Sequence, residues 1–320
     1  MKKFFLISGL LVLSLILVSC GNQVATIVKT DFDSVEFKAK EKEKKIVYLD
    51  NEYVMKYPTT NIVTASLEAM EDAVALGIEP LGAVSRNGEI PNYLVSDLGK
   101  NIVDVGKLSD PNPELIKVLQ PDIILGSNEF DKEKTATLED IASTINLSHT
   151  SDTWRDSLSL LGEVSGNKEK ATTLISEYND DLKNIKELHP EIKNLSILIL
   201  QVKDEELYMF ESQEYYNSML YDELGFKQPA KIEENKEREI ISIEELAKIN
   251  PDIILVEFST HENHRNDDFV NDLRRNSLWK NMKAEKEDRV YFNLVDDGYQ
   301  GETYLSKRAM LDELNKKVLF

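Results

Sequence analysis

The five residues Pro-Asp-Ile-Ile-Leu stand at 121–125 and again at 251–255. Each copy closes a longer matched stretch, NPELIKVLQPDIIL at 112–125 and SIEELAKINPDIIL at 242–255. In both, a good N-cap residue, Asn112 or Ser242, opens a helical pattern. A proline then stops the helix ahead of an apolar run that reads as a buried strand. Ser242 with Glu245 three residues on also has the form of a capping box. A second echo sets Leu76-Gly77-Ile78-Glu79-Pro80 against Leu224-Gly225-Phe226-Lys227-Gln228-Pro229. A unit written twice in one chain points to two related lobes.

Around the copies, short β-branched runs alternate with helical patterns. Strands are expected over 61–66, 81–84, 102–105, 123–125 and 144–147, with a helix over 67–76. Such alternation argues for parallel βαβ units. Between the copies, Asn167 is expected to cap a helix carrying Ala171, Leu174, Ile175, Tyr178, Leu182, Ile185 and Leu188 on one face. Pro190 ends it. At 1.5 Å per residue it runs about 33 Å, enough to lie along two lobes as a spine. The expected fold class is therefore α/β: two Rossmann-like lobes, 46–166 and 191–320, joined by a single long α-helix at 167–190, with a ligand cleft between them. Residues 46–49 and 53–57 flank Asp50-Asn51 as a small hairpin.

The N-terminus reads as an address. Lys2 and Lys3 precede an apolar run from Phe4 to Val18. That run is too short to span a bilayer as a helix and has the proportions of a secretory signal. It ends Leu17-Val18-Ser19-Cys20-Gly21, which resembles the lipobox of bacterial lipoproteins, and Cys20 is the chain's one cysteine. Residues 1–19 are expected to be a signal peptide, Cys20 a lipidation site, and 20–45, with its charged run KAKEKEKK, a solvated tether. The expected location is the extracytoplasmic face of the cell membrane, held by lipid.

Composition narrows the function. The formal charge of −20 speaks against nucleic acid, which is held mainly by Lys and Arg on phosphates. One cysteine excludes a disulfide framework or a cysteine-built metal site. The chain has no G-x-S-x-G elbow, Walker loop or G-x-G-x-x-G fingerprint, so enzyme readings do poorly. His261-x-x-His264 lies in what reads as loop, and no protein-held metal and no cofactor is expected.

Ligands of open α/β sheets bind beyond the carboxyl ends of the strands. Those loops hold Arg86, Lys107 and Arg265 as candidate cations. They also hold, or lie close to, Tyr93, Phe130, Trp154, Tyr215, Phe258 and Tyr299 as candidate aromatic walls. Aromatic faces with scattered cations suit a medium-sized, partly anionic ligand. Trp279, in a helical Leu-Trp-Lys stretch, reads as packing.

The segments SLEAMEDAVALGIEPLGAV (66–84), VGKLSDPNPELIKVLQPDIIL (105–125), ISIEELAKINPDIILVEF (241–258) and NSLWKNMKAEKEDRVYFN (276–293) carry a family resemblance. With the lipobox, two lobes and spine helix, the chain resembles the iron–siderophore, haem and cobalamin class of ABC-transporter substrate-binding lipoproteins of Gram-positive bacteria. The resemblance implies a monomer that captures a ferric siderophore, with iron arriving inside its own chelator, and delivers it to an importer. Haem, cobalamin, or an adhesin or sensor role on the same scaffold stay open. Glu114 and Glu244 occupy matched first-turn positions of the repeated helices, where carboxylates also favour the helix dipole. The resemblance implies that they dock the two lobes on a permease dimer.

Overall fold

The structure, a computed structural model, describes residues 42–86, 88–148, 150, 152–233, 238–259 and 264–319. The expected signal peptide, Cys20, His261 and all but the end of the tether lie outside them. No helix of the described residues is long and apolar enough to cross a membrane.

Strands β1 (Lys42–Tyr48) and β2 (Asn51–Tyr57) form the expected antiparallel hairpin. Leu49 and Asp50 turn it with φ of 45° and 64°, the left-handed geometry that two-residue hairpins favour. Strand β1 opens inside the run read as tether. The alternation of Ile46 and Tyr48 continues back through Lys44, whose ammonium lies 4.1 Å over the Tyr57 ring and pairs with Glu163. Lysines suit a two-stranded edge such as this one, where one face stays wet.

The first lobe follows: β3 (Ile62–Thr64), α1 (Leu67–Leu76), β4 (Gly82–Ser85), α2 (Asn92–Val95), β5 (Val103–Lys107), β6 (Asp110–Pro111), α3 (Pro113–Leu119), β7 (Ile123–Ser127), α4 (Lys132–Glu139) and β8 (Ser143–Leu147). Its sheet runs β6-β5-β4-β3-β7-β8, parallel except for β6. Helices α5 (Trp154–Ser165) and α6 (Lys168–Leu188) lead out of it. The second lobe holds β9 (Ile197–Lys203), β10 (Glu206–Met209), α7 (Ala230–Glu233), β11 (Glu239–Ile240), α8 (Ile243–Ile249), β12 (Ile253–Phe258), α9 (His264–Arg275), α10 (Ser277–Asn281), α11 (Lys283–Lys286), β13 (Val290–Phe292) and α12 (Tyr304–Glu313). Its sheet runs β11-β10-β9-β12-β13, with β9, β12 and β13 parallel. Segment 264–267, read as loop, is the start of α9, which buries Val270 and Leu273 one turn apart.

The repeat is structural. Asn112 caps α3 through the N–H groups of Glu114 and Leu115, and Ser242 forms a full capping box with Glu245 on α8. Gln120 and Asn250 both end their helices left-handed, at φ 50° and 47°. The repeated aspartates then staple matched strands. Asp122 accepts from Thr59 and Asn61 just ahead of β3, and Asp252 from the backbone and hydroxyl of Ser196 just ahead of β9. Hydrogen bonds and a lysine partner, Lys56 or Lys283, hold both carboxyls below their usual range against the cost of burial.

The chain passes from one sheet to the other along α6. Ala171, Tyr178, Leu182 and Ile185 are its buried face; Leu188, on the same stripe, is exposed. Asn167 stands at the N-cap, but its side chain donates to Ser165 and makes no capping bond. Helix α12 adds a second tie that periodicity does not reveal, because it packs back on α1 and α5 of the first lobe.

Candidate functional site

Between the lobes lies a cavity of about 780 Å³, within the range of small-molecule sites. Lobe one contributes Arg86 and Glu89 to Tyr93, the segment after β4. Lobe two contributes Gln201, Tyr215, the end of β12 at Glu257 to Ser259, and the loop at Asp296–Gly298 with Gln300. The site thus sits where strand ends from both sheets meet, as the topology requires.

Local chemistry places each wall. Arg86 and Glu89 exchange backbone hydrogen bonds of 2.9 and 3.1 Å around Gly88, whose φ of 84° suits glycine. The tight turn presents Arg86 at the rim. Phe258 is pinned by Asn293, whose amide oxygen accepts from the Phe258 N–H at 2.8 Å and whose amide nitrogen donates to its carbonyl at 2.9 Å. Tyr215, itself left-handed at φ 58°, stacks on Phe210 with centroids 4.5 Å apart. Arg238 donates to Gln201 at 2.9 Å and pairs with Glu214, which orients the Gln201 amide.

Of the expected contacts, Arg86, Tyr93, Tyr215 and Phe258 line the cavity. Lys107 is exposed at the end of β5, paired in register with Ser85 beside Arg86, and does not line it. Tyr299 lies behind the wall, its ring 4.4 Å from that of Tyr93. The Arg265 side chain is outside the described residues. Two expectations are corrected. Trp154 is the first residue of α5 and 1% exposed, wedged edge-on to Tyr178 at 5.1 Å and under the Arg155 guanidinium at 4.3 Å. Phe130 packs half-buried over Gly126 and into the first-lobe core. Both lie near strand ends, but their rings turn into apolar packing.

The cavity's charge also differs from the expected cationic cleft. Among the described residues Arg86 is its cation, against Glu89, Glu257, Asp296 and Asp297. Glu257 is 3% exposed, and burial pushes its carboxyl up to about 8, offset in part by the Leu294 backbone N–H. Gln201 and Glu257 face each other across the β9–β12 register. Their sequence signal was present: each is a polar residue interrupting an apolar strand, in ILILQV and IILVEF. No group of three or more His, Cys, Asp or Glu among the described residues is arranged to hold a metal ion.

A further carboxylate stands behind the cavity. Glu71 on α1 is 1% exposed; burial pushes it up to about 8, against the opposing pull of hydrogen bonds from Thr303 and Tyr93. Tyr93 donates to its Oε1 at 2.6 Å, and the Thr303 hydroxyl donates to Oε2. Neighbouring Asp72 is fully buried and is pushed well up by burial, then by Glu71 and Glu68.

The family description "periplasmic binding protein" matches residues 62–293. The chain is 36% identical to the iron-uptake system-binding protein of Bacillus subtilis over 99% of both chains. It is 29% identical to the Fe(3+)-citrate-binding protein YfmC of the same organism, over 72% of this chain and 71% of that one. Among solved structures, the triscatecholate siderophore-binding protein FeuA of Bacillus subtilis, complexed with ferri-bacillibactin, superposes with TM-score 0.77 at 38% identity. That match covers 86% of this chain and 98% of the other. Staphylococcus aureus SirA, complexed with staphyloferrin B, shares the fold at TM-score 0.73 and 24% identity, over 86% of this chain and 98% of that one.

Proposed function

The chain belongs to the periplasmic binding protein family, and from that premise we propose that it captures a ferric siderophore between its lobes and delivers it to an ABC importer. The observation that carries this reading is the interlobe cavity of about 780 Å³, walled by strand-end segments of both sheets. Relatives whose names state iron uptake, ferric citrate and ferri-bacillibactin support the substrate class. The protein's part is recognition of the outside of the chelate: Arg86 meets anionic oxygens, and Tyr93, Tyr215 and Phe258 give flat apolar faces. This is a binding role and not a catalytic one, and the iron is cargo.

The same reading includes a lipid anchor at Cys20 on the extracytoplasmic face of the membrane and a monomeric protein that presents Glu114 and Glu244 to a permease dimer. Both glutamates are exposed in the first turns of the matched helices α3 and α8. Glu245, by contrast, is tied to Ser242.

Calorimetric titration tests the reading, using ferric bacillibactin, ferric citrate, ferrichrome, haem and cobalamin against the whole chain. Saturable binding of at least one ferric siderophore, tighter than haem and cobalamin, is expected. Preference for haem or cobalamin would move the substrate to that class, and no binding of any of the five would overturn the reading.

A further inference from the structure

Tyr93 has two faces. On α2 of lobe one it lines the cavity, and its ring also crosses into lobe two. There it meets Gly298 so closely that a Cβ on Gly298 would lie 2.2 Å from Tyr93 Cε1 and 2.7 Å from Cδ1. A methyl group does not fit at that distance, so glycine is needed for space. The Tyr299 ring forms the next side of the slot, 4.4 Å away between centroids. The Tyr93 hydroxyl is 3.3 Å from the Gly298 carbonyl and donates its short bond, 2.6 Å, to Glu71 of lobe one. The other oxygen of Glu71 accepts from Thr303, the N-cap of α12, on the far side of the boundary. A knob from lobe one therefore sits in a slot of lobe two, and one carboxylate ties the knob's tip to the slot's edge.

We propose that Tyr93 is a positioning residue as well as a cavity wall: its seat against Gly298, held through Glu71 and Thr303, sets how far the lobes close over the ligand. This deepens the function proposed above and rests on it. A ligand resting on one face of the ring bears on the lobe boundary through the other. Ordinary interlobe packing would hold the lobes together without making ligand affinity depend on Gly298 through Tyr93.

A mutant cycle on the whole chain separates the two, read by calorimetric titration with whichever of ferric bacillibactin, ferric citrate and ferrichrome binds the wild type. Gly298→Ala is expected to unseat the ring and weaken binding at least tenfold. In a Tyr93→Ala background, where no ring competes for the slot, the same Gly298→Ala change is expected to alter affinity less than twofold. Thr303→Val, which leaves the cavity walls unchanged, is expected to weaken binding three- to tenfold, and Thr303→Ser to restore it. Normal affinity of Gly298→Ala and Thr303→Val, or an equal loss from Gly298→Ala with and without the Tyr93 ring, would overturn the proposal while leaving the siderophore reading intact. Should Gly298→Ala fail to fold, Thr303→Val repeated in a Tyr93→Phe background decides, because the Thr303 hydroxyl also caps α12: a loss that vanishes without the Tyr93 hydroxyl supports the seat, and an equal loss with and without it overturns it. Failure of the wild type to bind any of the three complexes would overturn both.

Discussion

The ammonium of Lys307, fully enclosed on α12, lies 3.8 Å from the carboxylate of Glu223. The same carboxylate accepts from Arg155 of α5 at 3.1 Å and from the Tyr178 hydroxyl of α6 at 2.7 Å. Helices α5, α6 and α12 thus converge on one group of lobe two. Burial outweighs the pull of Glu223 and brings the Lys307 amine down to about 8.

Removing the two ends of this contact should have unequal effects. Glu223→Ala leaves a buried cation without its partner and should cost about 3 kcal/mol or more. Lys307→Met leaves Glu223 with Arg155 and Tyr178 and should cost under about 1 kcal/mol. The sign with pH follows from the lowered amine. Between about pH 8 and the unfolded value of 10.5 the unfolded chain holds a proton that the native chain has released, so wild-type stability rises across that window. Lys307→Met should lack the rise. Urea denaturation of both variants from pH 7 to 10 measures each effect, and equal losses from the two substitutions would dismiss the hub.

Glu71 and Glu257 act in the opposite direction. Both are pushed up to about 8 by burial, so above pH 4.5 the unfolded chain releases protons that the native chain keeps. Their contribution to stability should fall as pH rises from about 4.5 to 8, by an amount on the order of a few kcal/mol, and stay constant above that, where the rise from Lys307 sets in. Glu71→Gln and Glu257→Gln should each flatten part of that slope. A stability that instead rose from pH 5 to 8, with the same slope in both variants, would mean that these carboxyls are ionised in the native protein.

Arg86 is the cation that reaches the cavity wall among the described residues. Arg86→Ala should weaken an anionic ferric complex by about 1–3 kcal/mol, the scale of a charge-assisted hydrogen bond. Lys107→Ala, altering an exposed charge at the neighbouring strand end, should mainly slow association and do so less at high salt. Titration and stopped-flow mixing at two ionic strengths distinguish the roles. An equilibrium loss from Lys107→Ala as large as that from Arg86→Ala would place Lys107 in contact with ligand.

Glu114 and Glu244 should matter to transport and not to capture. The double Ala variant should keep ligand affinity and folding, and should lose most uptake in cells that depend on this chain. Reversal to Lys should be worse, because rim charges steer encounter and fix orientation. Normal uptake by the double Ala variant would leave both residues with only their helix-terminus role.

Local chemistry made much of the fold legible. Capping residues, proline stops and β-branched runs act over a few neighbours, so α1, α3, α8 and strands β7, β8 and β12 could be read in order. The duplicated PDIIL foretold two lobes, because its aspartate and apolar run meet the same neighbours in each sheet. The hairpin was visible too, although charge hid its first four residues within an apparent tether. Segment 264–267 reads as loop for a related reason: its polar residues say little about conformation, and burial at Val270 and Leu273 comes later in the helix.

The site was only partly legible. Strand-end logic located Arg86, Tyr93, Tyr215 and Phe258, since the carboxyl ends of parallel strands must face the cleft. It could not separate those rings from Trp154 and Phe130, because a ring near a strand end turns toward ligand or toward core according to which helix packs beside it. The acids Glu71 and Asp72 were likewise invisible as buried groups. Their burial comes from α12 returning across α1, a contact between residues far apart in the chain. The sequence determined the lobes, their strands and the matched acidic helices, all set by short-range periodicity and capping. Only the tertiary structure decided which side chains wall the cavity and how Tyr93, Gly298 and Glu71 join the lobes, because those are long-range contacts made after the helices have packed.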